Sequence, residues 1–144
     1  MNSNLVTEKR LLQSHRQCPK RAWLEAHNAA TPEYSASDAA ALEQGKHVHH
    51  TARSLHSNAV RVPSGLAPAD AALQTRFLLD SRVPVIQDAC FEHDGLNVRV
   101  DILEIGEKGL KLTEVKSGSS VKDAYLDDCA ILYSTTKACG FEIE

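Results

Sequence analysis

The Asp94-Gly95 dipeptide, set between two apolar stretches, most narrows what this chain can fold into. A two-residue hairpin turn needs positive φ at its central positions, which Asp tolerates and Gly adopts without steric cost. After it, Leu96, Val98, Val100 and Ile102 alternate with Asn97, Arg99, Asp101 and Leu103, the period of a strand over 96–105. Before it, Val85, Ile86 and Phe91 mark a strand over Pro84–Phe91. A Gly106–Gly109 turn returns the chain as a third strand, Leu110–Val115. The pattern predicts an antiparallel three-stranded meander.

Helical signals surround it. Ser3 or Thr7 can cap a short helix reaching Gln13, and Pro19 suits the first position of a second, Lys20–His27, with Trp23 and Leu24 as its apolar members. The Ala-, Ser- and Pro-rich stretch Ala29–Ala41 reads as a loop leading into a helix over Ala39–Leu55, capped by Ser37 or Asp38. Ala59–Val62 is extended. Ala69–Leu79 is amphipathic, with Leu73, Phe77 and Leu78 inward. A last helix, Val121–Ala138, offers Ala124, Tyr125, Leu126, Ala130, Ile131, Leu132 and Tyr133 as inward candidates, and Gly140 stops it. Phe141–Glu144 starts another extended piece, so a longer parent chain is in view. A meander among helices is α/β.

At 144 residues, the length fits one domain. No apolar run nears the ~20 residues that span a bilayer, and Met1–Arg10 lacks the basic-then-apolar order of a signal peptide, so the expectation is a cytoplasmic protein without membrane contact. A net charge of -3 with pI near 6.1 does not advertise nucleic-acid binding, yet a local basic path suffices for an enzyme on DNA. Lys9, Arg10, Arg16, Lys20 and Arg21 concentrate positive charge early. The four cysteines form no C-x-x-C pair and read as reduced, mostly buried thiols. Trp23 reads as core before it reads as a base-stacking platform, and Lys20 and Arg21 as a solvated face before a phosphate contact.

The chemistry centres on Asp101, Glu114 and Lys116. Glu114 and Lys116 stand two apart, hence on one face of their strand, and opposed side chains of adjacent strands lie about 5 Å apart. Two carboxylates and an ammonium can converge there and hold Mg²⁺ through oxygen. Spacing alone equally suits a solvated face on which Asp101 pairs with Arg99 or Lys116.

Ordered motifs bear on that choice. Arg99-Val100-Asp101-Ile102-Leu103 followed by Leu112-Thr113-Glu114-Val115-Lys116-Ser117 resembles the active-site hairpin of PD-(D/E)XK nucleases. Gln17-Cys18-Pro19-Lys20-Arg21-Ala22-Trp23-Leu24 resembles the opening motif of their RecB-like branch, which includes CRISPR-associated exonucleases and a related bacterial family. Gly45-Lys46-His47-Val48-His49 matches its G-x-x-x-H helix, and Tyr125-Leu126-Asp127-Asp128 the helix after the lysine strand.

The resemblance implies a restriction-endonuclease-like core, a mixed sheet flanked by helices, and metal-dependent hydrolysis of DNA in single strands or at ends. It implies His49, Asp101, Glu114 and the Val115 carbonyl as ligands of Mg²⁺ or Mn²⁺, and Lys116 as the catalytic lysine that positions or deprotonates water. His47 and His50 compete with His49 in the same run. Glu92 and Tyr133 are secondary candidates. Two features depart from the pattern. The Gln of the last helix is replaced around Leu132-Tyr133, and only Cys18 matches the family's iron–sulfur cysteines, so no cluster is expected. A nuclease-like nucleic-acid-binding module without turnover, or a fragment of a larger protein, is the alternative.

Overall fold

The computed structural model describes residues 7–27 and 35–144. Helices α1 (Lys9–Gln17), α2 (Pro19–His27), α3 (Ala36–Ser54), α4 (Pro68–Asp80) and α5 (Asp123–Ala138) surround a sheet of β1 (Thr7–Glu8), β2 (Val60–Arg61), β3 (Val85–His93), β4 (Leu96–Ile105) and β5 (Leu110–Thr113). The expected α/β class and meander are present. β3 pairs antiparallel with β4 along its whole length, from Val85 opposite Glu104 to His93 opposite Leu96. The turn between them has φ of 48° at Asp94 and 76° at Gly95, as an Asp-Gly hairpin requires.

The second edge of β4 is shared. β1 runs parallel to its first residues, Thr7 opposite Leu96, and β5 antiparallel to its last, Thr113 opposite Ile102. Between the two, the edge of β4 around Asp101 has no partner strand among the described residues. β2 joins the free edge of β3 in parallel, which makes the sheet mixed.

The core is built from both faces of this sheet: Val62, Ile86, Ala89, Phe91, Val98, Val100 and Leu103 bury with Ala71 and Leu78 of α4 and Leu132 of α5. Thr75 of α4 is also buried; its hydroxyl donates to the Ala71 carbonyl and accepts from the Cys90 N–H, so the helix meets β3 with no polar atom wasted.

Several expectations need correction. The first helix starts at Lys9, not under a Thr7 cap, because Thr7 and Glu8 are drawn into the sheet; Ser3 lies outside the described residues. α3 starts at Ala36 because Ser35 and Asp38 form a reciprocal capping box, leaving Ser37 inside the helix; the loop expected before it falls largely on residues 28–34, also outside the described residues. β5 ends at Thr113, short of Val115. Trp23 is 58% exposed and stacks on His27, while Ala22 is the buried residue of α2. On α4 the inward residues are Ala71, Thr75 and Leu78, which turns Leu73 and Phe77 to solvent. On α5, Leu132 is buried as expected, but Ala124, Leu126, Ala130 and Tyr133 face outward, and Asp128, Thr135 and Thr136 bury in their place. Of the cysteines, all free, only Cys90 is buried; Cys18 and Cys129 are exposed. Gly140, at φ of 89°, follows the end of α5 as expected. Among the described residues, no helix is long and apolar enough to cross a membrane.

Candidate active site

The unpaired stretch of the β4 edge is where the expected residues gather. β1 runs along that edge from the start of β4 and ends at Glu8; β5 runs along it from the far end and stops at Thr113. The next residues on each, Lys9 and Glu114, are thereby delivered to the same gap from opposite directions. Lys9 Nζ donates to Glu114 Oε1 at 2.7 Å. Asp101 stands in the gap. Its Oδ2 accepts the Val115 N–H at 2.7 Å, so the chain leaving β5 is tied to β4 through a side chain after the backbone ladder has stopped.

Lys116 returns to the same point: its ammonium lies 2.9 Å from Glu114 Oε1 and 2.5 Å from Asp128 Oδ2 of α5. His49 reaches in from α3, with Nδ1 3.2 Å from Asp101 Oδ1. His49, Asp101, Glu114, Val115 and Lys116 all line one cleft of about 750 Å³, with Lys9, Arg10, Gln13, Arg99 and Tyr125 among its other walls.

Two of the expected residues are not brought there. Glu92 pairs with Asn97 near the far end of the hairpin and borders an apolar groove beside Phe91 and Phe141. Asn97 lies four positions before Asp101 on β4, roughly 13 Å of strand. Tyr133 is exposed on α5, its hydroxyl accepting a bond from Lys137 Nζ. Leu132, where the resemblance would put a Gln, is in the core; α5 touches Lys116 through Asp128.

The charges of the site act on one another. Burial raises the pKa of Asp101; the Val115 N–H opposes that, the neighbouring Glu114 charge adds to it, and His49 and Lys9 oppose it again. Burial alone would lower the pKa of the Lys116 ammonium, but its bonds to Asp128 and Glu114 outweigh burial and raise it. Asp128 answers in the other sense: burial would raise its pKa, and the Lys116 and Gln13 bonds bring it down.

The donor chemistry suits a hard divalent cation: two carboxylates, one imidazole and a nearby backbone. Ligands adjacent on an octahedral ion with bonds of ~2.1 Å are roughly 3 Å apart, and the His49–Asp101 pair is already at 3.2 Å. Glu114 is turned to its lysines, and among the described residues no three His, Cys, Asp or Glu groups are gathered about one point. Lys9 and Lys116 both bond Glu114 and place beside it the positive charge that a cation would otherwise bring.

Sequence reasoning passed over Lys9, Gln13 and the contact of Asp128. Lys9 was visible only as one basic residue among several; its role depends on β1 joining β4, a pairing of residues far apart in the chain. Comparison with family models, with curated proteins and with solved structures returns no match.

Proposed function

We propose that the chain is a metal-dependent phosphodiesterase of the PD-(D/E)XK kind, hydrolysing DNA in single strands or at ends. The observation that carries this reading is the convergence of His49, Asp101, Glu114 and Lys116 in one open cleft at the unpaired edge of β4. Asp101, Glu114, His49 and the Val115 carbonyl would hold Mg²⁺ or Mn²⁺. When bound, such an ion stabilises charge on a phosphate and makes water more acidic.

In the overall reaction, a water oxygen bonds to phosphorus, a P–O ester bond breaks, and the products are a phosphate monoester and a hydroxyl. The chain's own residues serve this by position and charge. Asp101 is steadied by the Val115 N–H, and Lys116 can donate hydrogen bonds to the attacking water or to a phosphate oxygen. Arg10 and Arg99, on the same cleft walls, suit the flanking phosphates of a strand.

A second reading, a nucleic-acid-binding module without turnover, is favoured by one observation: Glu114 is held by two lysines at 2.7 and 2.9 Å. One experiment separates the two. Labelled single- and double-stranded DNA is incubated with the protein and Mg²⁺, Mn²⁺ or EDTA, beside Lys116→Ala. The nuclease reading expects metal-dependent cutting that falls by about 100-fold or more in the variant, a typical contribution of a positioned proton-handling group. DNA retained uncut, equally by both proteins, would establish the binding module.

A further inference from the structure

Asp128 is a charged side chain with only 3% of its surface exposed, placed on a helix whose other buried residues are Leu132, Thr135 and Thr136. A buried carboxylate survives only when its oxygens are well partnered. Here each oxygen has one partner. Oδ1 accepts from the Gln13 side-chain amide of α1, and Oδ2 accepts from Lys116 Nζ at 2.5 Å. Asp128 does not line the cleft that contains Asp101 and Glu114, whereas Gln13 and Lys116 do. The carboxylate therefore stands behind the lysine.

Without it, the Lys116 ammonium would have Glu114 as its one carboxylate partner among the described residues. A flexible four-carbon side chain with one anchor can swing with that anchor; with two anchors on different elements its ammonium is held in one place. The second anchor matters because Glu114 is shared with Lys9 and is a ligand candidate, so a bound cation would draw its carboxylate away from Lys116. Asp128 is held from two sides: α5 is packed through Leu132, and Gln13 bonds the carboxylate oxygen that Lys116 does not.

We propose that Asp128, oriented by Gln13, is a positioning residue that keeps the Lys116 ammonium aimed into the cleft whichever way Glu114 turns. The inference rests on the nuclease reading, but the contact itself can be tested apart from it.

The test is a double-mutant cycle on the full chain, using Asp128→Asn, Lys116→Ala and the pair, with a labelled single-stranded oligonucleotide and Mn²⁺. Asp128→Asn is expected to lower kcat by about 30-fold with KM for DNA changed less than about twofold. Added to Lys116→Ala, it should cost nothing more, because two residues acting as one unit are not additive. A merely structural Asp128 would multiply the Lys116→Ala loss, and that result, or an unchanged kcat, overturns the proposal.

Should Asp128→Asn fail to fold, Gln13→Ala replaces it, with a smaller kcat loss that must likewise vanish beside Lys116→Ala. If the wild type does not cut at all, the nuclease reading falls while the contact is still measured. The side-chain ¹⁵N ammonium resonance of Lys116, assigned with Lys116→Ala, must shift in the Asp128 or Gln13 variant. An unmoved resonance sinks the positioning role.

Discussion

His49 Nδ1 lies 3.2 Å from Asp101 Oδ1, linking the C-terminal half of α3 to the centre of β4. The link matters because α3, 19 residues long, has no buried residue. One turn on, Arg53 bonds Asp88 Oδ1 at 2.7 Å, and its carbonyl accepts the Gln87 amide. Polar side chains, not an apolar stripe, dock this helix on the sheet, and one of them is a candidate metal ligand.

Removing that imidazole should weaken the metal site more than it disturbs the fold. His49→Ala is expected to lower Mn²⁺ affinity by about 10-fold or more, the scale on which altered metal-site partners act. Titration calorimetry on wild type and variant measures this. Equal affinities would take His49 out of the ligand set.

Asp101 gives a pH prediction with a definite sign. Its folded pKa is raised, by burial first and then by the Glu114 charge against the Val115 N–H bond. A carboxyl shifted upward contributes stability that is full below its unfolded pKa and lost as pH rises through the folded value. Above the folded value that contribution is gone, and the ionised Asp101 opposes folding. Asp101→Asn can still accept the Val115 N–H but carries no charge. Without metal it should melt above wild type at neutral pH, the gap closing as pH falls into the carboxylate range. Mn²⁺ should raise the melting temperature of wild type and leave the variant unmoved. Calorimetry across pH decides it; a variant less stable at neutral pH would mean the ionised carboxylate is a net stabiliser.

Asp88 combines a left-handed backbone, φ of 55°, with ion pairs to Arg53 and Arg61. Asn tolerates that backbone but removes the charge, so Asp88→Asn should cost about 1–2 kcal/mol, below the usual loss for a broken buried pair because Arg61 is half exposed. Asp88→Val adds the left-handed penalty of roughly 1–2 kcal/mol for a side chain branched at Cβ. Urea unfolding should rank them wild type, Asn, Val; equal losses would mean the backbone relaxes out of that region.

Trp23 is the chain's one tryptophan, so fluorescence reports on it alone. At 58% exposure its emission should be quenched by iodide in the folded protein almost as well as in urea. Strong native protection would return Trp23 to an interior.

The thiols divide the same way. Cys18 and Cys129 should react with a maleimide in the folded state, whereas Cys90 is buried, its pKa pushed up by burial, and should react only after unfolding. Mass spectrometry of labelled peptides reads the order, and early labelling of Cys90 would contradict the packing of β3.

What the sequence by itself determined is what local chemistry decides. Asp94-Gly95 set the hairpin because φ preference is a property of those two residues. Pro19 opened α2 and Gly140 followed α5 for the same kind of reason. Period-two alternation gave Asp101 its face of β4; Glu114 and Lys116, expected on one strand face, lie beyond the end of β5 and meet through their ion pair. The tertiary structure decided everything that depends on neighbours distant in the chain. The rotations of α2, α4 and α5 followed small buried residues such as Ala22, Ala71 and Thr75, leaving Trp23, Leu73 and Phe77 outside, since hydrophobicity alone does not say which apolar residue meets a partner. Lys9 entered the site only because β1 and β5 share one edge of β4. Asp128 became a partner of Lys116 only because α5 packs by Leu132 and carries a carboxylate inward, where burial demands a cation and an amide to meet it.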